Sequence, residues 1–189
     1  GWDPAAGAVT GREAFQDGVE LAGDLAATAV TVHMPRVTCQ ALEDDGSARA
    51  CLEAACAELL APAVAGGMAI GVENMHLASG EPDDRRRHYG YTPGECLQWV
   101  EMLRGRLPGG RVGLHLDIGH ARNNGRFASE YPLGCWYALT GAQVSGYHLH
   151  QVHLTPEGMV NHRSFAGLYG PLISLGSFLW AWRSGQLTH

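Results

Sequence analysis

Residues 111–121 read RVGLHLDIGHA, an apolar run that closes on an aspartate and, three positions later, a histidine. Short runs of aliphatic and β-branched residues are typical of buried strands in a parallel sheet. Two earlier segments have the same character, ATAVTVHMP over 27–35 and MAIGVENMH over 68–76. A fourth run, VSGYHLHQVHL, covers 144–154. The sequence therefore predicts four buried strands.

Helical patterns separate these strands. Apolar residues recur near helical spacing over 10–26, and an Ala-rich stretch fills 48–64. The segment 92–95, TPGE, is a capping box with proline at the first helical position, and it opens a third helix. A loop is predicted over 155–170 and a last helix over 171–182. Strands that alternate with helices indicate right-handed βαβ units around a parallel sheet, in one α/β domain.

Each predicted strand ends near a side chain that can bind a metal ion. These residues are His33, Glu73, Asp117 and His148, separated by 40, 44 and 31 residues, about one strand-helix-strand step each. In a parallel α/β barrel the carboxyl ends of the strands converge on one face, where active sites lie. Two carboxylates with two imidazoles are a suitable ligand set for Mn²⁺, Zn²⁺ or a similar ion. We therefore predict a shared metal site.

Composition disfavours several other classes of function. The 189 residues carry a formal net charge of −6, and all 13 cations are arginine, which disfavours a nucleic-acid-binding protein. The one basic run, 85–87, is offset by the acidic pair at 83–84 and is interpreted as a solvated loop. No apolar run reaches the roughly 18 residues that would cross a membrane. Five cysteines without a CxxC pair favour a cytoplasmic protein.

The segments VTVHMP, AIGVENMH, VGLHLDIGHA and VSGYHLHQV resemble the sugar phosphate isomerase/epimerase superfamily. This is the xylose isomerase-like TIM-barrel group, to which endonuclease IV is related. The most specific match is the Asp-x-x-His motif in LDIGHA, and the Glu-Asn pair at 73–74 is also typical of the family. The resemblance runs through short motifs from about residue 10 to 180.

This resemblance implies a (β/α)8 TIM barrel of the xylose isomerase-like type. The four strands found here match the fourth to seventh strands of the family. Residues 1–189 are therefore expected to form a single but incomplete barrel domain, which lacks the N-terminal strands and the last strand. The eighth strand of the family would bring a further glutamate. Exposed strand edges would then require a partner, and a homo-oligomer is one such arrangement.

The resemblance also implies roles for individual residues. Glu73, Asp117 and His148 would bind the metal, and Glu73 and His120 would be catalytic. Four histidines and one arginine would contact the substrate: His33, His120, His150, His162 and Arg163. Gln151 stands where the family often has an aspartate.

The predicted function is a divalent-metal-dependent isomerase or epimerase that acts on a sugar or sugar phosphate by enediolate proton transfer. The cofactor would be Mn, Zn, Mg or Co, and the partner a small-molecule sugar. Two alternatives remain open. One is a metal phosphodiesterase that cleaves abasic sites, like endonuclease IV; the other is a non-catalytic, ligand-binding remnant of the family. Metal uptake, ketose turnover and binding to abasic duplex would separate the three.

Overall fold

The computed structural model describes residues 2–3, 8–156, 158–163 and 173–187. Its elements, in chain order, are β1 (Trp2–Asp3), β2 (Ala8–Val9), α1 (Arg12–Asp24), β3 (Ala29–His33), α2 (Cys39–Asp44), α3 (Gly46–Ala65), β4 (Ala69–Glu73), α4 (Pro93–Arg106), β5 (Val112–Asp117), α5 (Ile118–Arg122), α6 (Phe127–Glu130), α7 (Leu133–Thr140), a 3₁₀ turn (Gly141–Gln143), β6 (Val144–His148), β7 (Gln151–Thr155), β8 (Gly158–Arg163) and α8 (Ile173–Arg183).

The central sheet is parallel and has the strand order β3-β4-β5-β6. The last residues of these strands are the four residues singled out from the sequence: His33, Glu73, Asp117 and His148. In register, His33 pairs with Glu73, and Asp117 pairs with His148. The α/β class and the parallel sheet predicted from the sequence are thus confirmed, with all four strand ends on one edge.

All four predicted segments extend past the observed strands, and the last two extend furthest. The strand predicted over 111–121 stops at Asp117, because the Asp117 side chain accepts a hydrogen bond from the His120 amide (2.7 Å) and so begins α5. The strand predicted over 144–154 ends at His148. Its second part, β7, instead pairs antiparallel with β8, which lies within the predicted 155–170 loop.

The core lies between the sheet and the helices that cover it. Ile70 and Val72 on β4 and Leu114 and Leu116 on β5 are fully buried. α4 packs against β5, and α1 packs against α3. Because apolar side chains fix β4 and β5 from this side, the polar side chains at their carboxyl ends have defined positions.

The opposite face of β5 carries His115, two residues before Asp117. His115 pairs in register with Glu73 on β4 and with Gly146 on β6. A Cβ atom on Gly146 would come within 2.7 Å of His115 Nδ1, and one on Gly71 within 3.0 Å of His115 Cβ. The two glycines therefore make room for an imidazole ring below Asp117.

The capping box predicted at the start of α4 is present. Thr92 Oγ1 accepts a hydrogen bond from the Glu95 amide (3.3 Å), and Glu95 Oε2 accepts one from the Thr92 amide (3.2 Å). Thr92→Ala is expected to lower the free energy of unfolding by about 1 kcal/mol, because it leaves a helix amide without its partner. Chemical denaturation measures this change. Thr28→Ala, at an exposed threonine, is the control, and equal effects of the two substitutions would contradict the prediction.

Candidate functional site

The three residues predicted to bind a metal meet at the carboxyl edge of the sheet. His148 Nδ1 lies 3.1 Å from Glu73 Oε1 and 2.8 Å from Asp117 Oδ2. Glu73 and Asp117 are buried, whereas the His148 side chain is 40% exposed. Residues more than 30 positions apart in the sequence thus surround one small volume that is open on the His148 side.

His120 and His150 enclose Asp117 from two further directions. His150 Nε2 lies 2.8 Å from Asp117 Oδ1, and His120 Nδ1 lies 3.5 Å from Asp117 Oδ2. Both imidazoles are buried. We call these five residues the carboxylate–imidazole cluster: Glu73, Asp117, His120, His148 and His150.

Asn74 positions the backbone of Asp117. Its side chain accepts a hydrogen bond from the Asp117 amide (2.7 Å) and donates one to the Asp117 carbonyl (3.1 Å). Asn74 is fully buried. The backbone carbonyl of Asn74 accepts a hydrogen bond from His120 Nδ1 (2.9 Å), which fixes the orientation of the His120 ring. Sequence reasoning noted the Glu-Asn pair but missed this bridge between strands, because the pairing partner lies 43 residues away.

His33 stands at the rim of the cluster. Its Nε2 atom lies 3.0 Å from Glu73 Oε2, and its side chain is 61% exposed. His76 lies on another side, with its ring centroid 4.6 Å from that of His120. His33 therefore adjoins Glu73 from solvent, where a ligand can reach both residues.

His162 contacts the cluster through His150. The His162 amide donates a hydrogen bond to His150 Nδ1 (2.9 Å), and the two rings stack at 4.4 Å with an interplanar angle of 19°. The backbone of His162 has a φ of 58°, in the left-handed region that non-glycine residues seldom adopt. This conformation directs the His162 amide at His150. Arg163 ends β8, and its side chain lies outside those described.

Gly119 allows His150 to approach the start of α5. A Cβ atom on Gly119 would lie 1.9 Å from His150 Cε1 and 2.3 Å from its Nε2. The glycine of the LDIGHA motif is therefore required by close packing, and its φ is not positive. Neighbouring residues in the sequence do not reveal this requirement, because His150 reaches Gly119 only in the fold.

Ion pairing governs the ionisation of the two carboxylates. Burial opposes ionisation of Asp117, but the hydrogen bond with His150 and the charges of His120 and His150 hold its pKa well below its usual range. Burial likewise opposes ionisation of Glu73, and hydrogen bonds from His33 and His148 outweigh it and lower the pKa. The hydrogen bond to Glu73 in turn raises the pKa of His33. Two adjacent carboxylates are thus kept anionic by the surrounding imidazoles.

The donor set of the cluster fits a divalent ion. Asp117 Oδ2 is buried, and within the described part of the chain it accepts no well-aligned hydrogen bond, although His148 Nδ1 lies beside it. Three sets of residues have ligand atoms within 4.8 Å of one another: Glu73, Asp117 and His120; Asp117, His148 and His150; and His120, His150 and His162. Carboxylate oxygens and imidazole nitrogens are ligands of Mn²⁺, Zn²⁺ and Co²⁺.

No protein-family model matches the sequence, and no curated protein matches it. Solved structures do match. A candidate xylose isomerase from Rhodospirillum rubrum aligns with a TM-score of 0.68 at 20% identity, over 94% of this chain and 57% of that chain. An L-ribulose 3-epimerase aligns with a TM-score of 0.58 at 18% identity, over 90% of this chain and 50% of that chain. The fold is that of the xylose isomerase-like TIM barrels.

A D-tagatose 3-epimerase-like protein has the same barrel and aligns with a TM-score of 0.53 at 24% identity, over 75% of this chain and 48% of that chain. This chain thus spans about half of the length of the xylose isomerase-like structures that it matches. The described part of the chain supplies four parallel strands of the barrel. The xylose isomerase-like fold predicted from the sequence is confirmed.

Proposed function

We propose that this chain belongs to a divalent-metal-dependent isomerase or epimerase that acts on a sugar or sugar phosphate by enediolate proton transfer. The observation that carries the proposal is the convergence of Glu73, Asp117 and His148, with His148 Nδ1 within 3.1 Å of both carboxylates. The solved structures with this fold include proteins named as an L-ribulose 3-epimerase and a D-tagatose 3-epimerase-like protein. Small ketoses are accordingly the proposed substrates.

Glu73, Asp117 and His148 would hold the ion, and His120 and His150 adjoin them. A bound divalent ion would supply Lewis-acid polarisation of the substrate carbonyl and hydroxyl oxygens. Glu73 is the proposed proton acceptor for the carbon next to the carbonyl. Its two oxygens lie beside His33 and His148, the two partly exposed imidazoles through which a ligand would reach Glu73. The pKa of Glu73 is lowered by its hydrogen bonds with His33 and His148, so Glu73 is a carboxylate at neutral pH and has a free site for a proton.

Three imidazoles would bind and orient the sugar. His120 Nε2, the ring nitrogen that Asn74 does not occupy, would hydrogen-bond a substrate hydroxyl. His33 would donate to the sugar from the rim. His162 is exposed and stacks on His150, which would place it at the wall of the site. Substrate contacts by His150 and Arg163 remain predictions.

The alternative of abasic-site cleavage lacks support from surface charge. The basic run at 85–87 is neutralised within the fold: Arg85 pairs with Glu43 and Asp44, Arg86 with Asp84, and Arg87 with Glu95. This run therefore offers little free charge to phosphates of a duplex. The alternative of a non-catalytic remnant makes a different prediction, which is metal or ligand binding without turnover.

Two further proposals concern the oligomeric state and the cellular location of the protein. β3 is an edge strand of the described sheet, which supports pairing with a further strand or with a second copy in a homo-oligomer. The five cysteines are free, which supports a cytoplasmic location. Within the described residues, no helix combines the length and the apolar character needed to cross a bilayer.

Hydrogen exchange with solvent tests the proposed reaction. The metal-loaded protein is incubated in D₂O with L-ribulose, D-tagatose or D-xylose, and deuterium on the carbon next to the carbonyl is measured by NMR. Metal-dependent incorporation that a chelator abolishes would support the proposal. Metal binding without incorporation into any sugar would favour the remnant, and cleavage of an abasic duplex would favour the phosphodiesterase.

Asp117→Asn is expected to weaken binding of Mn²⁺ or Zn²⁺ by at least about a hundredfold. Even the loss of a residue that only hydrogen-bonds a metal ligand typically lowers metal affinity by about 10–100-fold. Asparagine can still cap α5, so the fold should persist. Calorimetric titration measures the affinity and circular dichroism the fold. Asp83→Asn, at a half-exposed aspartate that pairs with Arg126, is the matched control. Equal metal affinity of the two variants would remove Asp117 from the proposed site.

A further inference from the structure

A cavity of about 270 Å³ adjoins the carboxylate–imidazole cluster between the segment after β3 and the loop after β4. His33 and Arg36 line it on one side, and His76, Glu81 and Tyr91 on the other. Two of these residues also contact the cluster, because His33 bonds Glu73 and His76 packs on His120. The cavity is therefore an extension of the candidate site.

Backbone hydrogen bonds hold the two walls of this cavity together. The Tyr89 amide donates to the Val37 carbonyl (2.8 Å), and the Cys39 amide donates to the Arg87 carbonyl (2.9 Å). The loop after β4 is thus attached directly to the segment that carries Arg36. A cavity with fixed walls can bind a ligand without the cost of ordering a loop.

Glu81 is the one carboxylate that lines the cavity within the described residues, and its oxygens are occupied. Oε1 accepts from the His88 amide (2.7 Å) and lies 2.8 Å from His88 Nδ1. The Tyr91 hydroxyl donates to Oε2 (2.7 Å). Because both oxygens of Glu81 already accept hydrogen bonds from residues of its own loop, Glu81 is poorly placed to neutralise a cation on the other wall of the cavity.

Arg36 is such a cation. Within the part of the chain that the structure describes, no carboxylate oxygen lies within 4.0 Å of its guanidinium. Most other described arginines pair with a carboxylate: Arg12, Arg49, Arg85, Arg86, Arg87, Arg104, Arg106 and Arg126. Arg36 thus presents uncompensated positive charge on the wall of a cavity that leads to Glu73.

We infer that Arg36 binds the phosphate group of a phosphorylated sugar whose reacting carbons lie at the carboxylate–imidazole cluster. This inference rests on the proposed function for the class of ligand. A guanidinium offers paired N–H donors that match the oxygens of a phosphate. The net charge of −6 repels an anionic sugar at long range, so selection of one requires a local cation. The geometry gives Arg36 that task, and it makes Arg36 a determinant of specificity.

The test compares L-ribulose 5-phosphate with L-ribulose, which differ only in the phosphate, and includes inorganic phosphate as a third ligand. Calorimetric titration of the wild-type chain should show binding of the phosphorylated sugar that is tighter by about tenfold to a hundredfold, the usual range for a hydrogen-bonded charge. Arg36→Gln should bring the ratio of the two affinities close to one. Arg36→Lys should retain part of the preference, because lysine keeps the charge without the fork.

Arg183→Gln is the matched control, since Arg183 lies on α8 and lines neither wall of this cavity. It should keep the wild-type ratio. An unchanged ratio in Arg36→Gln, or a wild-type chain without a preference for the phosphorylated sugar, would overturn the inference. Tight binding of inorganic phosphate alone, lost in Arg36→Gln, would support an anion site that does not require a sugar. Because these are binding measurements, they can succeed even if no deuterium enters any ketose, which would refute only the proposed reaction.

Discussion

Glu73→Gln is expected to reduce turnover of the metal-loaded protein by at least about a hundredfold, the usual contribution of a positioned general base. The amide has the shape of the carboxylate but cannot accept the substrate proton. In the metal-free protein, the free energy of unfolding should change by less than about 1 kcal/mol, because weaker hydrogen bonds from His33 and His148 are offset by relief of the repulsion with Asp117.

The measurement pairs deuterium incorporation with thermal unfolding of the same preparations. Glu101→Gln, at an exposed glutamate that pairs with Arg104, is the control and should retain full turnover. Near-normal incorporation by Glu73→Gln would exclude Glu73 as the base. A large loss of stability would instead show that Glu73 is needed mainly for the structure of the strand ends.

Gly119→Ala is expected to have the second-largest effect. The added methyl group would lie 1.9 Å from His150 Cε1, so the ring must move. His150 is held by Asp117 on one nitrogen and by the His162 amide on the other, and both contacts would break. We expect a loss of about 1–3 kcal/mol in the free energy of unfolding, as for overpacked interiors, and a metal affinity lowered by at least about tenfold.

Two further variants separate this clash from a general effect of alanine. Gly105→Ala, within α4, meets no atom within 4 Å and should stabilise the protein by about 0.5–1 kcal/mol through helix propensity. The double variant of Gly119→Ala with His150→Ala removes the ring that the methyl group meets. It should be no less stable than His150→Ala alone, and a larger loss would show that the clash with His150 is not the cause.

The sequence was sufficient to predict those features that depend on local pattern. The ends of β3, β4, β5 and β6 fall on the four singled-out residues, because each strand is an apolar run that closes on a polar side chain. The capping box of α4 was predicted for the same reason, since all its partners lie within four residues.

Features that depend on distant partners could not be predicted in this way. The sequence predicts a strand end and a loop where the structure has the hairpin of β7 and β8, because no Gly or Pro marks the break after His148. The bridge from Asn74 to Asp117 and the contact of Gly119 with His150 join residues that only the fold brings together. The lack of a carboxylate partner for Arg36 is also a property of the fold, because Glu81 on the facing wall already bonds His88 and Tyr91.

The imidazole of His115 has one more consequence. Most barrels fill the space under their catalytic face with branched aliphatic groups. Here Gly71 and Gly146 leave a gap, and one aromatic ring occupies it, with Thr31 Oγ1 3.4 Å from its Nδ1 atom. The layer beneath Asp117 is therefore polar instead of aliphatic, and a side chain at either glycine position would displace the ring that fills it.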